Sequence, residues 1–204
     1  MNNEVNVYII DDDIDVRNAL KLLMESVGLS VIDFPSAKDY LEQFDFNQSG
    51  CLIVDVRMPG MSGLELQAQL AAEKYHPPII IVTGHGDVPM AVKAVKAGAV
   101  DFIEKPFNNQ SMLDSVHRAI ELDAKQRGEV SHQLEIEQLY SLLTPREKEV
   151  FKRVVEGQRN KVIAAELFIT QSTIEVHRSR VMEKMTASSL SDLMRMALVL
   201  DILK

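Results

Sequence analysis

The sequence predicts an α/β domain with a five-stranded, doubly wound parallel sheet, followed by a small all-α domain. Over the first 125 residues, short runs rich in Val and Ile alternate with longer amphipathic stretches. This alternation is typical of a parallel sheet that helices cover on both faces. Beyond residue 143 only helical patterns remain. At 204 residues the chain is long enough for two small domains.

Five apolar runs are predicted to be strands, because each is short and almost continuously hydrophobic. They are residues 5–10, 29–34, 51–55, 79–83 and 100–104. The clearest helical pattern between them has an apolar stripe from Val16 to Val27, and Gly28 ends it. Ligands of doubly wound sheets bind outside the carboxyl ends of the strands, so the residues that follow the strands are the candidates for a functional site.

The segment between the two predicted domains is charged and helical in pattern. Its few apolar anchors are Leu134, Leu139 and Leu142. We interpret this segment as a helical linker. The predicted organisation is therefore a first domain at residues 1–122, a linker at 123–142 and a second domain at 143–204.

The second domain opens on a helix-start pattern. Thr144 is a preferred N-cap residue, Pro145 suits the first helical position, and Glu147 completes a capping box. Four short helices are predicted, at about residues 145–156, 160–167, 171–185 and 189–202. A domain of this size is too small for a second enzyme and is typical of a DNA-binding module.

The net charge of −8 is unevenly distributed along the chain. Residues 1–125 carry 19 acidic and 10 basic side chains, a net charge of −9, whereas residues 126–204 carry 11 acidic and 12 basic side chains, a net charge of +1. Such asymmetry suggests two domains with different partners.

The composition also bears on location. The sequence has no apolar run of 18 residues, and residues 1–4 lack the basic start and apolar core of a signal peptide. We therefore expect a cytoplasmic protein without membrane association. The single cysteine, Cys51, lies in an apolar run and is predicted to be a small buried hydrophobic residue.

Acidic residues follow two of the predicted strands. Asp11, Asp12 and Asp13 come directly after the first strand, and Asp55 ends the third. If both strands are central and parallel, Asp11, Asp12 and Asp55 converge at one edge of the sheet. Carboxylates about 4 Å apart repel by roughly 4 kcal/mol per pair at an effective dielectric near 20, so the cluster needs a cation. Mg²⁺ suits such hard oxygen ligands.

A hydroxyl and an ammonium group are predicted at the same edge, since Thr83 ends the fourth strand and Lys105 follows the fifth. Together with a divalent metal around a carboxylate, they constitute a phosphoryl-binding site in which Asp55 is the nucleophile. A single Asp after a strand is more often a helix cap, and Asp13 suits that role. Capping alone does not account for the whole set.

These residues resemble the receiver domain of two-component response regulators, a flavodoxin-like fold. That domain has an acidic pair after its first strand, Asp after the third, Ser or Thr after the fourth and Lys-Pro after the fifth. The matching residues here are Asp11-Asp12, Asp55, Thr83 and Lys105-Pro106. The stretches 55–63, 84–90 and 97–107 are similar to the FixJ branch of the family.

The resemblance implies a mechanism. Asp55 would be phosphorylated by a sensor histidine kinase, after which two receivers would pair. Asp12, Asp55 and the backbone carbonyl of Arg57 would ligate Mg²⁺, and Asp11 would act through water. Phe102 matches an aromatic switch position that moves with Thr83; a core aromatic residue is the alternative for this position. Apart from accepting and slowly losing the phosphoryl group, the protein is not expected to be an enzyme.

The second domain resembles the four-helix DNA-binding module of the NarL/LuxR/FixJ family, through residues 143–150, Gly157 and residues 160–167. Thr170 is predicted to cap the next helix, whose inward stripe is Ile174, Val181 and Met185. The candidate DNA-contacting residues of this helix are Ser172, Thr173, Glu175, Val176, His177, Arg178, Ser179, Arg180 and Lys184. A capped helix bearing arginines can lie in the major groove, where bidentate Arg reads guanine.

This resemblance implies promoter DNA and RNA polymerase as partners. Glu175 stands where relatives often carry a basic residue, so base reading at this position is open. The charged residues could also merely solvate a helix face. The last helix carries the apolar stripe Leu190, Leu193, Met194, Ala197 and Leu198 and resembles the family's dimerisation helix, although a domain core has the same pattern.

Two other functions remain open at this point. The sequence Ile10-Asp11-Asp12-Asp13 also fits the Asp-x-Asp motif of haloacid-dehalogenase-type phosphatases, in which Asp11 would be the nucleophile. That alternative leaves Asp55 and the helical module unexplained. The other is a DNA-binding protein with a vestigial receiver, which an intact pocket disfavours. The preferred hypothesis is a transcription regulator that phosphorylation of Asp55 activates.

Overall fold

The structure is a computed structural model, and it describes residues 5–43, 45, 49–73 and 75–203. The chain divides between residues 126 and 127 into two compact units. The first contains the only sheet of the described residues, and the second contains helices alone. The predicted α/β fold followed by an all-α domain is confirmed.

The sheet of the first unit has five strands in the order β2-β1-β3-β4-β5, and all neighbouring strands are parallel. The strands are β1 (Asn6–Ile10), β2 (Ser30–Phe34), β3 (Gly50–Asp55), β4 (Ile79–Thr83) and β5 (Asp101–Glu104). Each agrees with its predicted range to within one residue at either end. The chain order reverses between β1 and β3, which is the switch point where doubly wound sheets bind ligands.

Five helices cover the sheet or follow it. They are α1 (Ile14–Glu25), α2 (Ala37–Gln43), α3 (Gly63–Leu70), α4 (Val88–Lys96) and α5 (Asn109–Ser141). As predicted, Asp13 caps α1, because its side chain accepts a hydrogen bond from the Asp15 backbone N–H over 2.9 Å. Helix α5 is continuous through the residues predicted to form a helical linker.

Successive residues of β1 face opposite sides of the sheet and join two separate hydrophobic clusters. Tyr8 and Ile10 pack with residues of β3, α2 and α3 on one face, whereas Val7 and Ile9 pack with residues of α1 and α5 on the other. β3 is buried along its whole length. This two-sided burial explains why the strands are almost continuously apolar.

The second unit contains four helices after the end of α5. They are α6 (Pro145–Val155), α7 (Asn160–Glu166), α8 (Gln171–Lys184) and α9 (Leu190–Val199). The predicted capping box of Thr144 and Glu147 is present, and Thr170 caps α8. The inward stripe of α8 is confirmed, since Ile174, Val181 and Met185 are buried.

The predicted apolar anchors near the end of α5 are partly wrong. Leu134 and Leu142 are 43% and 62% exposed. The buried residues of this segment are Ile136 and Leu143, which pack in a cluster with Phe151. The helical periodicity allowed either choice, and the position of the neighbouring helices selects Ile136.

On α9, Leu193 and Ala197 are buried, whereas Leu190, Met194 and Leu198 remain exposed along one side.

Within the described ranges, no helix combines the length and the hydropathy needed to cross a membrane.

Candidate functional site

The carboxyl ends of the central strands bring the predicted site residues to one edge of the sheet. Asp11 directly follows β1, Asp55 ends β3, Thr83 ends β4 and Lys105 directly follows β5. The strand register pairs Asp55 with Val82 and Thr83 with Glu104, so these ends are level with one another. Of the three carboxylates predicted to converge here, Asp11 and Asp55 do so, whereas Asp12 is exposed.

A lysine joins the two buried carboxylates of this edge. Lys105 Nζ lies 2.7 Å from Asp11 Oδ2 and 2.7 Å from Asp55 Oδ1. Asp11 is 3% and Asp55 6% exposed, so neither carboxylate is well solvated. The ammonium group therefore supplies the positive charge that two buried carboxylates require.

The protonation of these groups follows from their surroundings. Burial raises the pKa of Asp11, and hydrogen bonds from Lys105 and from the Asp13 backbone offset part of that effect. Burial also acts to lower the pKa of Lys105, but the hydrogen bonds to Asp11 and Asp55 and the negative charges of these residues together outweigh it, so that the pKa of Lys105 is raised. Lys105 therefore stays charged between the two carboxylates.

Backbone groups orient both carboxylates. The Arg57 backbone N–H donates to Asp55 Oδ2 over 2.6 Å, and the Asp13 backbone N–H donates to Asp11 Oδ1 over 3.0 Å. Gly63 lies so close to the end of β3 that a Cβ on it would approach the Asp55 carbonyl oxygen to 2.3 Å. The absence of a side chain at Gly63 thus allows α3 to begin directly behind Asp55.

Asp12 is placed differently from Asp11 and Asp55. Its side chain is exposed and makes no hydrogen bond or ion pair with another described residue. Within the part of the chain that the structure describes, no three His, Cys, Asp or Glu side chains form a group that could hold a metal ion. The side chains thus form a two-carboxylate cluster, with Asp12 beside it at the protein surface.

Thr83 and Phe102 lie around the same glycine. Thr83 is fully buried, and its Oγ1 accepts a hydrogen bond from the His85 backbone N–H over 3.3 Å. A Cβ on Gly86 would lie 3.0 Å from Phe102 Cε1 and 3.3 Å from Thr83 Cγ2. The half-buried Phe102 ring therefore lies beside the loop that follows Thr83.

Sequence reasoning missed Arg17, which is only 8% exposed. Its guanidinium group donates hydrogen bonds to the carbonyl oxygens of Asp11 and Asp12. Arg17 is three residues before Leu20 and seven before Met24, both buried on α1. This helical spacing was the available signal, since it placed Arg17 on the inward stripe.

In the second unit, the predicted DNA-contacting residues of α8 differ in exposure. Five are exposed, namely Ser172, Glu175, Val176, Ser179 and Arg180. Four are half-buried, namely Thr173, His177, Arg178 and Lys184. The exposed set forms an open face of the helix, whereas the half-buried set partly faces neighbouring helices.

Two of the half-buried cations have partners within the unit. Arg178 Nη1 donates to Asn160 Oδ1 over 3.2 Å. Lys184 Nζ lies 2.7 Å from Glu147 Oε2 and 3.2 Å from the Leu142 carbonyl oxygen. The hydrogen bond from Lys184 and those from Thr144 lower the pKa of Glu147 to about 2.

Three other polar residues near α8 were also missed. Asn160 begins α7 and binds Arg178, and the basic residues Arg159 and Lys161 on either side of it are exposed. The available sequence signal was the run Arg159-Asn160-Lys161 directly before the apolar part of a short helix. Arg180, by contrast, was predicted and is exposed, without a hydrogen bond or ion pair to any other described residue.

Known families match both units. The family model for the response regulator receiver domain matches residues 7–117, and that for the luxR family of bacterial regulatory proteins matches residues 141–197. The chain is 46% identical over 196 residues to nodulation protein W of Bradyrhizobium diazoefficiens, covering 96% of this chain and 86% of that protein. It is 43% identical over 199 residues to transcriptional regulatory protein FixJ of Azorhizobium caulinodans, covering 98% of this chain and 94% of that protein.

A solved structure supports the same assignment. The response regulator StyR matches with a TM-score of 0.85 at 43% identity, over 96% of this chain and 98% of that chain. These matches extend through both units and so include the helical module, which the phosphatase alternative left unexplained. The chain belongs to the FixJ-type response regulators of two-component systems, transcription regulators that join a receiver domain to a LuxR-type DNA-binding domain.

Proposed function

We propose that Asp55 is the phosphoryl acceptor of the receiver domain and that its phosphorylation activates DNA binding by the second domain. The observation that carries this proposal is the lysine bridge, in which Lys105 contacts both Asp11 and Asp55 at the switch point of the sheet. A carboxylate held beside a fixed ammonium group can attack phosphorus while the ammonium offsets the incoming negative charge.

The chemical step is a transfer from a phosphohistidine of a sensor kinase. An oxygen of Asp55 forms a bond to phosphorus, the bond between phosphorus and the donor nitrogen breaks, and the electron pair stays on the imidazole. The product is an acyl phosphate on Asp55. Lys105, already charged and close to Asp55, remains as a hydrogen-bond donor to the transferred oxygens.

The residues at this edge fit Mg²⁺. In our proposal Asp12, Asp55 and the Arg57 carbonyl would hold the ion, and Asp11 would act on it through water. Mg²⁺ typically takes only one or two carboxylates and keeps waters and phosphate oxygens as its other ligands, and the neighbouring carboxylates of Asp11 and Asp55 suit that preference. When bound, the ion would neutralise charge on the transferred phosphoryl group.

Thr83 and Phe102 are proposed to carry the signal away from the site. Thr83 Oγ1 is bonded only to the His85 backbone among the described residues, and that bond is long at 3.3 Å. In that bond the hydroxyl oxygen is the acceptor, so the hydroxyl hydrogen of Thr83 could be donated to a phosphoryl oxygen. Because Thr83 and Phe102 both lie against Gly86, a shift of Thr83 would change the space available to the ring.

Homodimerisation of phosphorylated receivers is the proposed consequence. Helix α4 exposes Val88, Val92 and Val95, which are 77%, 46% and 57% exposed. Their spacing places all three on one side of the helix. An apolar side of this kind, on the helix that follows Thr83, suits a surface that pairs when the switch residues move.

DNA contact is assigned to the open face of α8. Exposed Arg180, with no partner among the described residues, is the proposed base- or phosphate-contacting cation, with Ser172, Thr173, Glu175, Val176, His177, Arg178 and Ser179 around it. Arg159 and Lys161 are added as phosphate contacts. Lys184 is kept in the proposed set, although its pairing with Glu147 predicts a smaller contribution than that of Arg180.

The proposed organisation keeps the receiver at residues 1–122, the linker at 123–142 and the DNA-binding domain at 143–204. The receiver match ends at residue 117, before the proposed linker, and the luxR-family match begins at residue 141, within the last two residues of that linker. The proposed partners are a sensor histidine kinase, promoter DNA and RNA polymerase, and the protein would act in the cytoplasm, where these partners meet.

The test is phosphorylation of the full chain by acetyl phosphate and Mg²⁺. We expect one phosphoryl group per chain, none on Asp55→Asn, and normal labelling of the control Asp114→Asn, which changes an exposed carboxylate of α5. In an electrophoretic mobility shift assay, the labelled protein should bind promoter DNA more tightly than the unlabelled protein. Unchanged labelling of Asp55→Asn, or turnover of phosphate esters without a labelled chain, would refute the proposal. DNA binding that ignores labelling would indicate a vestigial receiver.

A further inference from the structure

We propose that Arg17 is a positioning residue for magnesium, which holds the backbone of the Asp11-Asp12 loop so that its carboxylates face the metal site. The proposal rests on the function proposed above, because it assigns a further residue to that Mg²⁺ site. Arg17 lies on α1 and does not contact Asp55 or Lys105 in the described structure.

The guanidinium group of Arg17 connects the loop after β1 to strand β2. Nη1 donates to the Asp11 carbonyl oxygen over 2.7 Å and to the Asp12 carbonyl oxygen over 3.2 Å. Nε donates to Asp33 Oδ2, on β2, over 3.0 Å. One buried side chain therefore ties the loop after β1 to the neighbouring edge strand.

These contacts determine which way the loop faces. The carbonyl oxygens of Asp11 and Asp12 are turned towards Arg17, whereas the Asp11 carboxylate is turned towards Lys105. The described residues provide no other hydrogen bond to either carbonyl oxygen. Without Arg17, two partly or fully buried carbonyl groups would lose their donor, and the loop could rotate.

Arginine suits this place better than lysine does. Its planar group presents several N–H donors in fixed directions, and three oxygen acceptors from Asp11, Asp12 and Asp33 surround it. Its permanent charge also lies behind a cluster of carboxylates and offsets part of their mutual repulsion. A lysine at this position would keep the charge but could not make all three bonds in the same geometry.

Metal affinity should therefore depend on Arg17. Residues that hold metal ligands in place typically contribute 10- to 100-fold to metal affinity. For Arg17→Lys and Arg17→Met we expect Mg²⁺ to bind about tenfold more weakly than to the unchanged protein. Excess Mg²⁺ should restore labelling of Asp55 to its full extent, because the nucleophile itself is intact.

The experiment titrates the full-length variants with Mg²⁺ alone, by calorimetry or by amide chemical shifts of residues 11–13. Asp33→Asn is the matched control: it removes the charge partner of Arg17 but leaves both carbonyl bonds, so its affinity for Mg²⁺ should stay within about twofold. Unfolding curves of each variant show whether it is still folded. If Arg17→Met is unfolded, the conclusion is drawn from Arg17→Lys alone.

The outcomes separate this proposal from the proposed function. If Asp12→Asn and Asp55→Asn bind Mg²⁺ as well as the unchanged protein does, the metal site itself is misplaced. If those two variants lose affinity but Arg17→Lys and Arg17→Met retain it within about twofold, the metal site stands and the role of Arg17 is refuted. A lowered labelling maximum that excess Mg²⁺ does not restore would also refute it, since misfolding explains that result.

Discussion

Lys184, the last residue of α8, donates a hydrogen bond over 2.7 Å to the buried carboxylate of Glu147 in the first turn of α6. Glu147 also closes the capping box with Thr144, so one carboxylate connects the start of α6 to the end of α8. The contact stabilises the DNA-binding domain. It also pairs Lys184, which was predicted to contact DNA, with a carboxylate of the same domain.

The stability of this domain should depend on the ionisation of Glu147. Its pKa is lowered to about 2 from an ordinary value of 4.5. A carboxyl group with a lowered folded-state pKa contributes stability that is present above pH 4.5 and is lost as the pH falls towards 2. We expect Glu147→Gln to lower the free energy of unfolding by about 2 kcal/mol at pH 7, with the difference from the unchanged protein shrinking below pH 4.5.

Chemical denaturation of the full chain at several pH values, followed by NMR signals of α8, measures this difference. Glu149→Gln is the control, because Glu149 is half exposed and pairs with Arg146 on the surface. Surface pairs contribute little, so this control should change the unfolding free energy by less than about 1 kcal/mol. A difference for Glu147→Gln that stays constant from pH 7 to pH 2 would contradict the assignment.

Arg180 and Lys184 should affect DNA binding differently. Arg180→Ala removes an exposed cation that has no side-chain partner among the described residues, so we expect weaker promoter binding and a lower salt dependence, with an unchanged unfolding curve. Lys184→Ala should mainly lower stability, because it leaves Glu147 without its partner. Fluorescence anisotropy across a salt series checks both; equal affinity of Arg180→Ala and the unchanged protein would remove Arg180 from the interface.

A side chain at Gly63 should disturb the phosphorylation site. The Cβ of Gly63→Ala would approach the Asp55 carbonyl oxygen to 2.3 Å, so the loop or the end of β3 must move. We expect slower labelling of Asp55 and a loss of stability of about 1–3 kcal/mol. In the control Gly128→Ala, the added Cβ meets nothing within 4 Å inside α5, and helix propensity should raise stability by up to about 1 kcal/mol. Normal labelling of Gly63→Ala would show that the backbone can move away from the added Cβ without disturbing the phosphorylation site.

Asp123 should stabilise the opposite end of the sheet. This buried residue of α5 accepts hydrogen bonds from Ser49 Oγ and the Gly50 backbone N–H, each over 3.0 Å, and from the Tyr75 hydroxyl. Asp123→Ala leaves the buried Gly50 N–H without an acceptor, which costs about 1–3 kcal/mol. Thermal unfolding measures the loss; a variant as stable as the unchanged protein would mean that water replaces the carboxylate.

Cys51 provides an independent probe of the same region. It is fully buried, and burial, with a smaller effect of the Asp123 charge, raises the pKa of its thiol to about 12. Because the thiolate is the reactive form, alkylation of the folded protein should be very slow. Asp123→Ala should speed it by increasing local opening. Rapid alkylation of the unchanged protein would contradict the burial of Cys51.

The exposed side of α4 should control dimerisation. Beryllofluoride with Mg²⁺ should shift the protein from monomer towards dimer, and Val92→Asp should prevent this while Asp55 is still labelled by acetyl phosphate. Leu22→Asp, at an exposed leucine of α1, is the matched control and should dimerise normally. Shifting the population from 1:99 to 99:1 requires roughly 5.5 kcal/mol. Light scattering that shows one mass with and without the mimic would refute the dimerisation step.

The identity of the site residues was accessible from the sequence because their signals are local. Asp11, Asp55, Thr83 and Lys105 each follow a short apolar strand, and a parallel sheet brings such strand ends to one edge. Helix caps were accessible for the same reason: Thr144 and Thr170 bond to backbone groups within three residues. Patterns of this range do not depend on the rest of the fold.

The tertiary structure alone decided the contacts between residues that are distant in the sequence. Lys105 could have paired with any acid of the cluster, but the strand order places it between Asp11 and Asp55, and leaves Asp12 exposed. Arg17 is buried because three oxygen acceptors, two from the loop after β1 and one from β2, surround it, although its charge alone predicts exposure. Lys184 faces Glu147, 37 residues away, because α6 and α8 pack together. The sequence determines which groups are available, and the packing of helices and strands determines which of them meet.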